Sequence, residues 1–172
     1  EYKTNFKLNE ATLSKDKIEL HFEGLDTYAE VFLNDEKILS ADNMFREWNV
    51  ECKDILQPGQ NELRILFKSP INVGLEKLAN AKVDYPNPPN DLSEIGKIGD
   101  KKVSIFTRKA GYHFGWDWGP RLVTSGIWKP IRIKAYDNAI MEYAFFEQQE
   151  LSDEKAELSA KLDLDAVESF DG

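Results

Sequence analysis

The densest group of side chains able to do chemistry lies between residues 108 and 121. There Trp116 and Trp118 flank a lone acid, Asp117. Indole faces pack against the C–H faces of sugar rings, and a carboxylate accepts hydrogen bonds from two neighbouring hydroxyls. Strand-like alternation would place the two indoles on one face and Asp117 on the other. The run therefore favours a site that holds a neutral polyol.

The same run also has a purely structural interpretation, and composition alone does not separate the two. Both tryptophans would then be core residues, and Asp117 would cap nearby backbone amides. His113 lies beside the run, either to donate to a sugar hydroxyl or as a satisfied structural histidine. His21, on the polar side of an alternating segment, is predicted to be solvated. Three cations flank the run and would pair with Asp117 or with carboxylates elsewhere: Arg108, Lys109 and Arg121.

We predict that the chain contains no catalytic residue of its own. Retaining glycoside hydrolysis needs two carboxylates about 5–5.5 Å apart. Asp117 is the only acid between Val103 and Lys134, and the other acids lie mostly on polar strand faces or in a charged tail. We therefore expect the isolated chain to be inactive.

Other function classes are disfavoured by composition. Two histidines and a single cysteine, Cys52, exclude a His-based zinc site, a cysteine-rich metal site and a disulfide framework. The sequence has no phosphate-binding glycine loop, Ser-His-Asp order or calcium loop, so neither a metal nor a cofactor is predicted. A net charge of −9 argues against a nucleic-acid partner, and no apolar stretch reaches the roughly 20 residues of a membrane helix. The composition leans towards a bacterial periplasmic or cytoplasmic protein.

The elements that must position the run are predicted to be strands. Apolar and polar residues alternate over residues 18–23, 29–34, 63–68 and 131–136, and Gly, Pro and Asn turns separate these segments. This pattern predicts an all-β antiparallel sandwich, with the last strand at an edge because of Pro130. One weak helical stretch surrounds residues 75–81. Residues 82–102 fit no regular element and are expected to form a functional lid or a linker.

Charge divides the chain near Asp137. Residues 1–136 carry 20 acidic and 20 basic side chains, whereas residues 137–172 carry 11 acidic and 2 basic ones. The shift predicts a domain boundary, or else an acidic solvated face on a single domain. Residues 156–166 alternate cleanly, yet little sequence follows to pair with them. We expect a fragment that begins in mid-strand, without the first part of its domain, and ends inside a second β domain.

Several motifs resemble the β-mannosidase branch of glycoside hydrolase family 2. The resemblance covers residues 1–136 and is most specific at residues 106–131. The motifs are residues 24–34 (GLDTYAEVFLN), 42–46, 56–63, 85–90, 108–120 and 126–131. It implies a jelly-roll sandwich like galactose-binding modules over residues 1–136. Residues 137–172 would be a linker and the first strand of an immunoglobulin-like domain, which a TIM barrel follows.

The resemblance also implies how the run would work. In the family both catalytic glutamates lie on the barrel, so this non-catalytic domain of an exo-acting retaining enzyme would contribute only to the subsite for a terminal β-mannoside. Asp117 would bind mannose hydroxyls, Trp116 would wall the subsite, and Trp118 and His113 would be further substrate contacts. The partners implied are the immunoglobulin-like and barrel domains of the same chain. Two alternatives are a free-standing carbohydrate-binding module and a scaffold domain whose exposed aromatics only dock a barrel.

Overall fold

A computed structural model describes residues 1–169, so the last three residues of the predicted 137–172 segment lie outside it. The strands, in chain order, are β1 (Tyr2–Leu8), β2 (Lys17–Phe22), β3 (Leu25–Asp26), β4 (Tyr28–Leu33), β5 (Glu36–Asp42), β6 (Trp48–Glu51), β7 (Gly59–Phe67), β8 (Gly126–Ile127), β9 (Ile131–Tyr136), β10 (Ala139–Leu151) and β11 (Ala156–Ala166). One sheet has the order β1-β7-β4-β5 and the other β6-β2-β9, with antiparallel neighbours throughout. The short pair β3-β8 and the hairpin β10-β11 complete the strands. The predicted all-β sandwich is confirmed.

The core is built from the apolar positions of the alternating segments. Ile18, Leu20 and Phe22 of β2 are at most 2% exposed. They belong to one buried cluster with Val31 of β4 and Ile65 of β7, which come from the other sheet. Strand β9 begins directly after Pro130 and lies at a sheet edge, as the proline predicted.

The outer face of β2 is buried as well, which alternation did not predict. His21 is 8% exposed, its Nδ1 shares a hydrogen bond with Asn49 Oδ1, and its Nε2 lies 3.6 Å from the Glu47 carboxylate. The expectation of a solvated His21 is therefore wrong. Strand β2 is the centre of a three-stranded sheet, where His21 lies between Asn49 of β6 and Arg132 of β9.

A helix, α2 (Pro70–Ala79), begins earlier than the weak helical stretch predicted around residues 75–81. Ser69 caps it by accepting a hydrogen bond from the Asn72 N–H at 3.3 Å. Gly74 weakened the helical signal, but the structure needs it: a Cβ there would lie 2.7 Å from the Cβ of Val103. The glycine thus lets α2 pack against the residue that precedes a 3-10 helix, Ser104–Phe106. The only other α-helix among residues 1–169 is α1 (Glu10–Leu13), and neither is long and apolar enough to cross a membrane.

The acidic tail folds into a long hairpin. The predicted strand at residues 156–166 is confirmed as β11, but β10 was not predicted. Its alternation is interrupted by register shifts between Met141 and Tyr143 and between Gln148 and Glu150. One face of the hairpin presents apolar side chains that are 44–64% exposed: Met141, Phe146, Leu158, Leu162 and Leu164. An immunoglobulin-like domain beginning here stays a prediction.

Ion pairs hold the hairpin against the outer face of the sandwich. Lys17 Nζ lies 2.7 Å from Asp165 Oδ2, the Tyr136 hydroxyl donates to the same carboxylate, and Lys134 Nζ lies 2.8 Å from Glu142. Lys17 lowers the pKa of Asp165, while burial and the bond to Asp165 raise the pKa of Tyr136 to about 12. The two lysines neutralise these carboxylates. We therefore assign these side chains a structural role, which is to attach the hairpin to the sandwich.

Candidate functional site

The Trp-Asp-Trp run forms a tight turn and not a strand. The Gly119 N–H donates to the Trp116 carbonyl at 3.2 Å, and these two residues also form an isolated antiparallel bridge. Asp117 and Trp118 therefore occupy the two corner positions of the turn. The expected alternation, with both indoles on one face, is wrong because a two-residue corner reverses the chain before a strand period is established.

All three side chains of the run are exposed. Trp118 is 86% exposed and Trp116 46%, so the interpretation of both as core residues is wrong. Asp117 is exposed, and among the described residues it has no hydrogen-bond or ion-pair partner, so it does not cap backbone amides. Large aromatics in water beside an uncompensated carboxylate contribute little to folding stability. The turn thus presents groups that are free to contact something else.

His113 belongs to the support of the turn. It lies in the 3-10 helix Gly111–Phe114, where its Nδ1 is 3.1 Å from the Leu122 carbonyl and its ring stacks on Tyr112 at 4.7 Å. Since a carbonyl only accepts, Nδ1 carries the proton in this contact and donates. The contact ties the segment before the turn to the segment after it, which agrees with a structural histidine and leaves Nε2 for any other partner.

Two of the three cations that flank the run, Lys109 and Arg121, pair with distant carboxylates and not with Asp117; Arg108 forms no ion pair among the described residues. Lys109 forms an ion pair with Asp26; the two side chains are 0% and 7% exposed. Thr27 donates its hydroxyl proton to the same carboxylate. Arg121 lies 3.9 Å from the buried Asp91. Two buried charge pairs, Lys109–Asp26 and Arg121–Asp91, therefore hold the chain on the two sides of the turn, and we call them the mount of the turn. Asp117, the acid of the turn itself, has no partner among the described residues.

Contacts with the main chain of Met44 hold the wider segments that flank the turn. The Met44 N–H donates to the Arg108 carbonyl at 3.0 Å, and the Trp128 indole N–H donates to the Met44 carbonyl at 3.0 Å. Trp128 in turn packs so closely on Gly24 that a Cβ there would lie 2.5 Å from the indole nitrogen. These contacts hold Arg108 and Trp128, which lie eight residues before and nine residues after the exposed turn.

The geometry can be set beside known proteins. Residues 1–129 match the model of the glycosyl hydrolase 2 galactose-binding domain-like family. The chain belongs to this family. The crystal structure of a β-D-mannosidase from Dictyoglomus thermophilum is 37% identical with a TM-score of 0.83, over 96% of this chain and 19% of that one. The predicted resemblance to glycoside hydrolase family 2 is thereby confirmed.

Curated relatives give the same result. The β-mannosidase of Mus musculus is 34% identical over 145 residues, which is 84% of this chain and 16% of the mouse protein. β-Mannosidase B of Thermothelomyces thermophilus is 39% identical over 121 residues, which is 70% of this chain and 13% of the fungal protein. The matched part of the chain thus spans only 13–16% of the length of these curated relatives.

The sequence analysis did not predict that three charged residues of this galactose-binding-like domain, Asp26, Asp91 and Lys109, are buried beneath the site. Asp26 and Lys109 were each part of a recognised motif, yet their pairing joins residues 83 positions apart. Asp91 was overlooked because it lies in the aperiodic segment 82–102, although it is only 1% exposed. A signal was present for Asp26, which follows Leu25 in an apolar segment where an unpaired charge is costly, but not for Lys109, which follows Arg108.

Proposed function

We propose that this chain is the N-terminal, non-catalytic domain of an exo-acting retaining β-mannosidase. Its Trp116–Gly119 turn would form one wall of the subsite for the terminal mannose, and the catalytic carboxylates would lie on a TIM-barrel domain of the same protein. The observation that carries the proposal is the unpartnered Asp117 carboxylate between two exposed indoles, on a base that is held by buried ion pairs. The β-mannosidases among its relatives supply the substrate class.

The turn suits a polyol for a physical reason. A carboxylate that accepts from two vicinal hydroxyls makes two charge-assisted hydrogen bonds, each of about 1.5–3 kcal/mol once water is excluded. A sugar epimer with one of these hydroxyls reversed leaves a buried oxygen unpaired, which gives discrimination. Trp116, half-buried beside Asp117, offers an indole face for the apolar side of the ring.

The division of labour follows from the acids that are available. In the segment 103–134 the turn brings a single carboxylate, whereas retaining hydrolysis uses two. Asp117 is therefore a binding group, and a second domain has to supply the nucleophile and the acid. A wall at one end of the pocket would admit only a chain terminus, which accounts for exo-cleavage.

The test is Asp117→Ala in the full-length protein that contains this chain. We expect kcat/KM on a chromogenic β-mannoside to fall about 100-fold, because about 2.7 kcal/mol of charge-assisted hydrogen bonding to the transition state is lost. Asp54→Asn, which changes an exposed acid elsewhere on the sandwich, is the matched control and should leave kcat/KM unchanged. A normal kcat/KM for the Asp117 variant would contradict the proposed function.

A free-standing carbohydrate-binding module is the second candidate, favoured by the open exposure of Trp118. Calorimetric titration of the 172-residue chain with mannose and with a β-mannoside separates the two, alongside the chromogenic assay. The absence of both heat and turnover supports a subsite that needs further domains. Heat without turnover supports the module, and turnover would contradict both assignments.

A further inference from the structure

A buried charge cluster lies behind the Trp116–Gly119 turn and has no role in the sandwich core. Asp91 is 1% exposed, and its Oδ2 accepts hydrogen bonds from the N–H groups of Val103 and Ser104, both at 2.9 Å. Its other oxygen faces Arg121, whose Nη2 is 3.9 Å away and whose side chain is 7% exposed. A carboxylate so deeply buried needs this counter-charge, since an isolated ion inside a protein is strongly unfavourable.

The cluster also holds most of the unsatisfied polar atoms found inside the described part of the chain. Six buried side-chain atoms lack a hydrogen-bond partner there, and four of them belong to Asp91, Ser104 and Arg121. In native proteins such groups are usually paired with protein or with ordered water, so the cluster is a polar region inside the fold and not part of its apolar core.

Residues 90–96, which we call the clamp segment, hold the turn at both ends. On the side before the turn, the Leu92 N–H donates to the Phe114 carbonyl at 3.0 Å. Gly115, with φ +135°, fits only because it lacks a Cβ, which would lie 2.5 Å from Leu92 Cγ. On the side after the turn, a Cβ at Gly96 would lie 2.2 Å from Arg121 Nη1. The clamp segment thus touches the turn on both sides of Asp117.

We propose that Asp91 is a positioning residue that, through Arg121, fixes the direction in which Asp117 presents its carboxylate to the sugar. This inference rests on the proposed function of the turn. Arg121 follows Gly119 by two residues, and an ionised Asp91 draws its guanidinium inward. Without that charge the guanidinium is left buried and unpaired, so the segment after the turn moves outward to hydrate it. The turn then loses one of its two fixed ends.

The substitution Asp91→Asn isolates the charge. Asparagine keeps the shape and one carbonyl oxygen, which still accepts from Val103 and Ser104, but it no longer attracts Arg121. Asp100→Asn is the matched control, because Asp100 is an exposed acid on the same loop. Arg121→Met is the second variant: it removes the guanidinium and leaves the Asp91 carboxylate with its two N–H donors.

Hydrogen exchange on the 172-residue chain is the first readout, and it requires no sugar. We expect the amides of residues 115–122, apart from Pro120, to exchange about 10-fold faster in both Asp91→Asn and Arg121→Met, with exchange in β2 and β4 unchanged. The Asp100 control should match the unsubstituted chain. Unchanged exchange at residues 115–122 in both variants, or equally faster exchange throughout the sandwich, would overturn the inference.

A double-mutant cycle in the full-length protein is the second readout. We expect Asp91→Asn alone to lower kcat/KM on a β-mannoside about 10-fold, but to lower it less than about twofold when Asp117 is already alanine. A merely structural effect would lower both backgrounds equally, and that result would overturn the positioning role. If Asp117→Ala itself changes nothing, the proposed function of the turn fails, while the exchange experiment still decides whether the clamp exists.

Discussion

Two regions of this domain expose large apolar side chains, and they do so in different ways. The Trp116–Gly119 turn exposes two indoles around a free carboxylate and is held by buried charges at its base. The β10-β11 hairpin exposes a continuous apolar face and contacts the sandwich through ion pairs at its root. A few aromatics around one polar group on a rigid base are typical of a small-molecule site, whereas a regular apolar sheet face is typical of a protein contact. The two regions therefore differ more in how regularly their exposed apolar side chains are spaced than in how much apolar surface they expose.

The largest effect should come from breaking the mount of the turn. Lys109→Met leaves the Asp26 carboxylate buried without a counter-charge, so we expect the free energy of unfolding to fall by about 3–5 kcal/mol. Urea denaturation of the 172-residue chain measures it. Lys3→Met, which breaks a pair whose side chains are 53% and 29% exposed, is the control and should change the free energy by less than about 1 kcal/mol. Equal losses of free energy in the two variants would show that the buried Lys109–Asp26 pair stabilises the fold no more than an exposed ion pair does.

The hairpin should govern self-association. The apolar face of β10 and β11 is exposed in this chain, so we expect concentration-dependent association in sedimentation velocity at micromolar concentrations. Leu162→Lys places a charge in the middle of that face and should abolish the association, and Lys161→Leu, on the opposite face of β11, should not. Association that survives Leu162→Lys but disappears in Trp118→Ala would reverse the roles that we assign to the two regions.

The contrast between the regions explains how much the sequence predicts. Alternation predicted β2, β4, β7 and β9, because one face of each strand meets a core and the spacing of apolar residues records that contact. It failed for β10, where two register shifts change which residues share a face. It failed for the turn because Trp-Asp-Trp has the same apolar–polar spacing in a strand and at a corner.

The candidate site was predicted by residue type and not by geometry. Trp116, Asp117 and Trp118 were singled out because indoles pack on sugar rings and a carboxylate accepts from two hydroxyls, whereas Asp26 and Asp91 act through partners that are distant in sequence. A pairing over 83 positions leaves no local pattern. Only the folded chain brings such charges together. The buried residues that hold a loop in place are therefore harder to predict from sequence than the residues that the loop exposes.

A smaller effect concerns the attachment of the hairpin at low pH. Lys17 lowers the pKa of Asp165 below the ordinary 3.8, so the carboxylate stabilises the fold above that pH and loses its contribution as the pH falls through the lowered value. We expect Asp165→Asn to lower the free energy of unfolding at pH 7 by about 1 kcal/mol or less, because the pair is partly exposed. The difference from the unsubstituted chain should shrink towards zero in urea titrations repeated down to pH 2. Asp163→Asn, an exposed acid on the same strand, should show no such pH-dependent difference.

The smallest effect on stability should belong to the side chain that is most exposed. Trp118 is 86% exposed, so Trp118→Ala removes almost no packing and should change the free energy of unfolding by less than about 0.5 kcal/mol. The same variant in the full-length protein should still lower kcat/KM on a β-mannoside, since the indole would contact the sugar or the domain that closes the subsite. A loss of stability without a loss of activity would show that Trp118 serves the fold. The indoles of the turn, like the apolar face of the hairpin, would then not belong to a sugar-binding site. A loss of activity at unchanged stability would assign the indole to a contact outside this domain, as we propose for the exposed carboxylate of Asp117.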